Sequence, residues 1–187
     1  MKTTTDLRDH LISGEKIIWT GRPAQGLLLT SRDWMLIPFS LMWGGFAVSW
    51  ETLVLTQTQT PTFMKLWGVP FVLIGLYLVA GRFLLDAWIR RGMQYAITNK
   101  RVLISRSGPF GKLIALNLNR LPEASLTESA NGRGTILFGQ QASFWGRGYG
   151  YGFSSWTPSL DPSPQFVAIE NARNVFELIQ RADKSDS

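Results

Sequence analysis

The chain has 187 residues, of which 45% are hydrophobic, 17% charged and 12% aromatic, and its 19 Lys+Arg against 13 Asp+Glu give a formal net charge of +6. Charge is sparse beside the roughly 25% of an ordinary soluble domain, yet a mean hydropathy of +0.03 is too low for a chain embedded in lipid throughout, so two unlike parts are being averaged. The absence of Cys and a single histidine, His10, exclude disulfides, thiolate and multi-histidine metal sites, thiol nucleophiles and iron–sulfur clusters.

Residues 1–33 are mostly polar, hold Lys2, Arg8, Lys16, Arg22 and Arg32, and read as a cytoplasmic segment ahead of an uncleaved anchor. Two uncharged runs follow, Trp34 to Trp50 between Asp33 and Glu51, and Leu66 to Gly81 between Lys65 and Arg82. Each continues past its bounding charge, through Leu53-Val54-Leu55 and Phe83-Leu84-Leu85. Extended in this way, the second run is about 30 Å long as a helix, the thickness of a bilayer core. Neither run carries the polar stripe of a helix half-buried in a soluble core. Trp34, Trp50, Trp67 and Trp88 sit near the run ends, as in an interfacial aromatic belt. Pro38 and Pro70 fall in first turns, where a missing N–H does least harm. The expectation is a transmembrane helical hairpin over residues 34–90 with the Thr-Gln-rich connector outside and both termini cytoplasmic, as the excess of Lys and Arg on the flanks requires. Arg82 and Asp86, four apart, are expected to pair. Gly44-Gly45, Gly68 and Gly75 would allow close helix approach.

After Arg91 the period becomes two. Residues 94–98 and 101–105 read as strands around an Asn99-Lys100 turn, and Ser107 to Gly111 as a further turn. Strands follow at 112–118, 124–129 and 135–138, separated by Pro122 and the Asn131 to Gly134 turn. Five short strands at this spacing indicate a small barrel or sandwich. Residues 139–157 intersperse glycines with Phe144, Trp145, Tyr149, Tyr151, Phe153, Trp156 and the lone cation Arg147. Either this is a pair of closing strands or a loop that presents aromatics to a partner. From Phe166 to Ala182 apolar residues recur at three and four, an amphipathic helix.

Several of these stretches resemble bacterial membrane-anchored pleckstrin-homology-like (PH-like) proteins. Gly14 to Pro23 (GEKIIWTGRP) is similar to that family's N-terminal signature, Tyr95 to Val102 (YAITNKRV) to its first hairpin, and Asn131 to Ile136 (NGRGTI) to its Gly-x-Gly-Thr-Ile turn and strand. The resemblance implies a seven-stranded, partly open barrel capped by the C-terminal helix, and no reaction. In eukaryotic relatives basic residues around the first hairpin bind phosphoinositide headgroups; Lys100, Arg101 and Arg106 occupy that neighbourhood here. The expected architecture is therefore an α+β membrane protein with a segment 1–33, a two-helix transmembrane hairpin 34–90 and a PH-like β-barrel with C-terminal capping helix over 91–183.

For catalysis the sequence offers little. His10 and Glu15 have no neighbour in sequence to tune them, and Gly108 to Gly111 and Gly132 to Gly134 lack the strand–helix context of a phosphate-binding loop. No catalytic, cofactor or metal residue is assigned, and neither a small-molecule substrate nor nucleic acid is expected. The expectation is a non-enzymatic protein of the bacterial inner membrane, serving as adaptor, accessory or assembly subunit of a larger membrane complex. Phe144, Trp145, Arg147, Tyr149, Tyr151, Phe153 and Trp156 would contact other subunits, since Tyr and Trp dominate interface hot spots. The alternative is binding of anionic lipid headgroups by Lys100, Arg101 and Arg106.

Overall fold

The computed structural model describes residues 7–30, 33–129, 132–139 and 157–185. They divide into two units: Met1–Gly26 together with Asp86–Ser187, and Leu27–Leu85. The first unit is built of strands β1 (Ile17–Gly21), β2 (Met93–Thr98), β3 (Arg101–Arg106), β4 (Lys112–Asn117), β5 (Ala124–Glu128), β6 (Arg133–Phe138) and β7 (Gln165–Glu170), with helix α5 (Ala172–Ser185) at its end. Strands β1-β2-β3-β4 form one antiparallel sheet and β5-β6-β7 a second.

The Asn99-Lys100 turn sets the register of the β2–β3 hairpin, with Ile97 opposite Val102 and Tyr95 opposite Ile104. These four residues share the face that forms the core with Ile136, Phe138 and Phe166 of the second sheet. Tyr95 stacks on Phe166 with ring centroids 4.6 Å apart, and Phe138 meets the same ring edge-on at 5.3 Å. The opposite face of β2 and β3 is covered as well. Leu7, in a short 3₁₀ turn (Leu7–His10), packs on Ala96 and Leu103, with Leu11 and Ile17 beside them. A strand buried on both faces reads as a continuous apolar run rather than an alternation, which is the pattern of Ala96-Ile97 and Val102-Leu103-Ile104.

Residues 17–21, read from sequence as part of an N-terminal segment, thus belong to the first sheet. Trp19 reaches across to stack on Phe166 at 5.7 Å. Its ring also lies over Gly21, where an added Cβ would be 2.2 Å from the Trp19 side chain. Glycine two residues after the tryptophan, on the same face of the strand, leaves room for the indole.

The expected barrel is corrected to two open sheets, because among the described residues no ladder joins them. On one side the chain leaves β4 through the Leu118–Arg120 turn and Pro122, which lacks the N–H a continuing ladder needs. On the other, β7 carries an extra residue opposite β6, since Gly134 faces Ile169 while Ile136 faces Phe166. Ala168 takes the strain of this bulge at φ 46°. There its N–H donates to Thr135 Oγ1 and its carbonyl accepts from Ala24 N–H at 3.0 Å, a single bond where a closed barrel would have a ladder.

The tail also differs from its sequence reading. Phe166 and Ile169 fit a helical period, but Phe166-Val167-Ala168-Ile169 are all buried in β7. The helix begins at Ala172 and lays Ala172, Val175 and Ile179 on β5, β6 and the Leu118–Arg120 turn.

The second unit, inserted between β1 and β2, holds α1 (Asp33–Thr56), α2 (Thr62–Trp67), α3 (Val69–Leu76), a π-helical turn (Tyr77–Gly81) and the first residues of α4 (Arg82–Arg91), whose remainder from Asp86 onward belongs to the first unit. Helices α1 and α3 pack together where Gly44 meets Gly75; a Cβ on Gly75 would lie 3.0 Å from Gly44 Cα. The expected two-helix transmembrane hairpin is corrected. Among the described residues only the stretch Thr62–Arg91 is a helix long and apolar enough to cross a membrane. The apolar character of α1 is diluted by Ser40, Gly44, Gly45, Ser49, Glu51 and Thr52. Residues 66–81 carry no charge at all.

The Tyr95 hydroxyl ties the two sheets, accepting the buried Val167 N–H at 3.1 Å. Tyr95→Phe keeps the stacking and orphans that donor, so it is expected to cost about 1–3 kcal/mol with the fold retained, measured by thermal unfolding of the detergent-solubilised protein.

Candidate functional site

Two of the resembling stretches, one before the helical unit and one after it, meet at Glu15. The chain turns at Gly14 (φ +74°) and carries Glu15 into the protein, where its side chain is 0% exposed. Arg101 Nε donates to Oε1 at 2.9 Å and its Nη2 to Oε2 at 3.0 Å, the bidentate fork that a guanidinium makes with a carboxylate. The Thr98 hydroxyl donates to Oε1 at 2.7 Å and the Ile12 N–H to Oε2 at 2.8 Å. Burial alone raises the carboxyl pKa. The hydrogen bonds from Arg101, Ile12 and Thr98, with the Arg101 charge, outweigh it and hold Glu15 below its ordinary value of 4.5.

The three cations suggested as headgroup ligands are each engaged. Arg101 is held by Glu15 and also donates to the His10 carbonyl at 2.6 Å. Lys100 Nζ donates to the Ser13 carbonyl at 2.9 Å. Arg106 donates to the carbonyls of Phe110 and Ser159, both at 2.6 Å, and its partial burial lowers the guanidinium pKa. They do not converge on a common ligand position. The aromatic candidates Phe144, Trp145, Arg147, Tyr149, Tyr151, Phe153 and Trp156 lie outside the described residues.

Arg82 and Asp86 do not pair. Within the helical unit Arg82 Nη1 lies 2.6 Å from Asp33 Oδ1, its Nε donates to the Leu78 carbonyl at 3.0 Å, and its Cζ sits 4.2 Å from the Phe83 ring centroid. Asp33 in turn accepts the Thr30 N–H and hydroxyl, closing the start of α1. Within the β unit Asp86 Oδ2 takes Arg90 Nε at 2.7 Å, while Oδ1 accepts the Ser159 N–H and hydroxyl at 3.0 and 2.7 Å. The remaining Arg90 nitrogens donate to the carbonyls of Ala24 and Gly26. Four-residue spacing correctly put Arg82 and Asp86 on one helical face; each found a better partner elsewhere in the chain.

The helical unit presents its apolar residues outward. Trp34 is 89% exposed, and Met35, Leu41, Met42, Phe46 and Leu53 on α1 are also exposed. So are Phe63, Leu66, Trp67, Leu73, Leu76 and Leu84 on the second stretch. In the most apolar window of Thr62–Arg91 only 22% is buried, whereas the core helix of a soluble protein is mostly buried. Contiguous apolar surface on this scale marks a membrane or protein contact. No family model, curated protein or solved structure matches the chain.

Sequence reasoning missed the Glu15 network, although Glu15, Thr98 and Arg101 all lay in stretches it singled out. It took Arg101 as a candidate headgroup ligand, gave Glu15 no neighbour to tune it and read Thr98 only as a strand residue. Because Glu15 is deprotonated more readily in the folded chain than in the unfolded one, the unfolded chain binds the extra proton as pH drops. The stability from Glu15 is thus present above about pH 4.5 and is lost as pH falls through the lower folded value. Glu128, held low by its hydrogen bond to Arg173, acts in the same direction. A pH series of thermal unfolding should therefore fall off in acid, with a shallower decline in Glu15→Gln than in the native protein, and a lower starting Tm at neutral pH.

Proposed function

We propose that this protein is a non-enzymatic membrane adaptor. Its helical unit seats in a lipid bilayer, and its β unit docks onto a larger membrane complex as an accessory or assembly subunit. The observation that carries the reading is the outward apolar surface of residues 33–85 on an insertion between two strands of a water-compatible β unit. Such surface is stable in hydrocarbon and unstable in water. The likeness of Gly14 to Pro23 and Tyr95 to Val102 to the bacterial membrane-anchored PH-like family supports a binding rather than a catalytic role. The basic residues Arg8, Lys16, Arg22, Arg90 and Arg91 flank the helical unit and support a bacterial inner membrane with the β unit in the cytoplasm. Binding of lipid headgroups by Lys100, Arg101 and Arg106 has less support, since each already donates to an acceptor within the chain.

The natively expressed full chain should stay in the membrane pellet after alkaline carbonate washing and, in mild detergent, run in a defined assembly by native mass analysis. Release by carbonate, or only monomer and homodimer across several detergents, overturns the reading. Leu73→Arg, on an outward position of α3 that is 59% exposed, should oppose insertion by about 3 kcal/mol, moving protein from the membrane pellet to the aggregated fraction.

A further inference from the structure

Strand β1 is an edge of its sheet: it pairs with β2 on one side and, among the described residues, with no strand on the other. A groove of about 970 Å³ borders it, at the upper end of the range for small-molecule sites. Its lining includes the apolar Leu7, Leu11 and Ile17 and the cations Arg8, Lys16 and Arg22, with no Asp or Glu among the described residues that line it. Lys16 and Arg22 are exposed, and their charged ends have no partner among the described residues. Glu15, the one carboxylate beside Lys16, is turned inward onto Arg101 and neutralises nothing here.

The spacing of the charges follows the strand. Lys16 precedes β1 and Arg22 follows it, so the two lie about 20 Å apart along an extended chain at 3.3 Å per residue, the span of about six residues of a second strand. The β1 region thus offers a backbone edge unpaired among the described residues, apolar contacts in the adjoining groove and a cation at either end.

We propose that the β1 edge is a docking site for an extended acidic segment of a partner protein, which adds to the sheet as a further strand. This rests on the adaptor reading and assigns its partner-binding surface. Backbone bonds to β1 supply the affinity, as in other strand additions. Carboxylates of the segment reach Lys16 and Arg22, and intervening apolar side chains settle on Ile17 and the partly exposed Leu11. Because Glu15 and Arg101 anchor the chain just before β1, the edge is held in strand form before the partner arrives.

The test is fluorescence anisotropy of a labelled peptide of alternating glutamate and valine against the full chain in mild detergent. Saturable binding that weakens with salt is expected. The double variant Lys16→Glu, Arg22→Glu should weaken it by about tenfold or more, as loss and reversal of two partly solvated ion pairs predicts. Methylation of alternate peptide amide nitrogens, which keeps the charge and removes the strand donors, should weaken it comparably. Should the double variant fail to fold by circular dichroism, Lys16→Gln with Arg22→Gln replaces it, with a smaller loss expected. Absence of saturable binding, equal binding of the methylated peptide, or indifference to the substitutions overturns the proposal. So does binding of phosphatidylglycerol vesicles, lost in the same variant, in place of the peptide. Native mass analysis separates the two readings: an assembly retained by the charge-reversed variant overturns the groove alone, whereas no assembly from the native chain overturns the adaptor reading.

Discussion

A guanidinium removed from water loses several kcal/mol of hydration unless its donors are met, and Arg90 is 1% exposed. What meets it comes from two distant parts of the chain: Asp86 from its own helix, and the carbonyls of Ala24 and Gly26 from the segment that follows β1. Asp86 extends the arrangement to Ser159. The β unit is discontinuous, its residues lying before Leu27 and after Leu85, so something must hold together the point where the chain leaves and the point where it rejoins. One buried charge does this together with the β1–β2 ladder. It selects a single arrangement because any other leaves a cation without acceptors.

The same physics operates at the other end of β1. Glu15 is fully enclosed and satisfied by Arg101, Thr98 and Ile12. Strand β1 is thereby tied to the sheet ahead of its first residue, and the segment just beyond its last is tied by Arg90. Trp19 fills the space between, lying on Phe166 and over Gly21. A strand secured at both ends by buried charge and in the middle by an aromatic ring keeps its extended form although no described strand pairs with its outer edge. That is the condition for an edge to receive another chain without paying the full ordering cost.

The helical unit follows a different rule. Its outward residues along the helices are mostly apolar, and several polar ones turn inward: Asp33 onto Arg82, and Ser40 onto the carbonyl of Leu36. Glu51 points toward Gly68, where a Cβ would stand 1.6 Å from its Oε2. This inverts the ordinary distribution of a soluble protein. Gly68 and Gly75 are thus occupied by the neighbouring helix, consistent with packing by small residues where no hydrophobic force draws helices together.

The apolar runs, the Asn99-Lys100 hairpin and the amphipathic C-terminal helix were legible in the amino-acid order, because each depends on residues within a few positions of one another. Less could be read where local pattern admits several long-range solutions. Phe166 to Ile169 suit a helix and a strand equally well, and burial on both faces chose the strand. Arg82 and Asp86 suit each other at four residues, until Asp33 and Arg90 supply closer and better-enclosed partners. Strand β1 was hidden because five residues give too short an alternation to stand out from a polar segment. Composition and periodicity settle which residues avoid water and which local elements form. Whether strands close into a barrel, which carboxylate meets which guanidinium, and which edge stays open are set by the assembled chain, since these depend on the Ala168 bulge, the Pro122 break and the hydration cost of buried charge, none of which acts until distant segments meet.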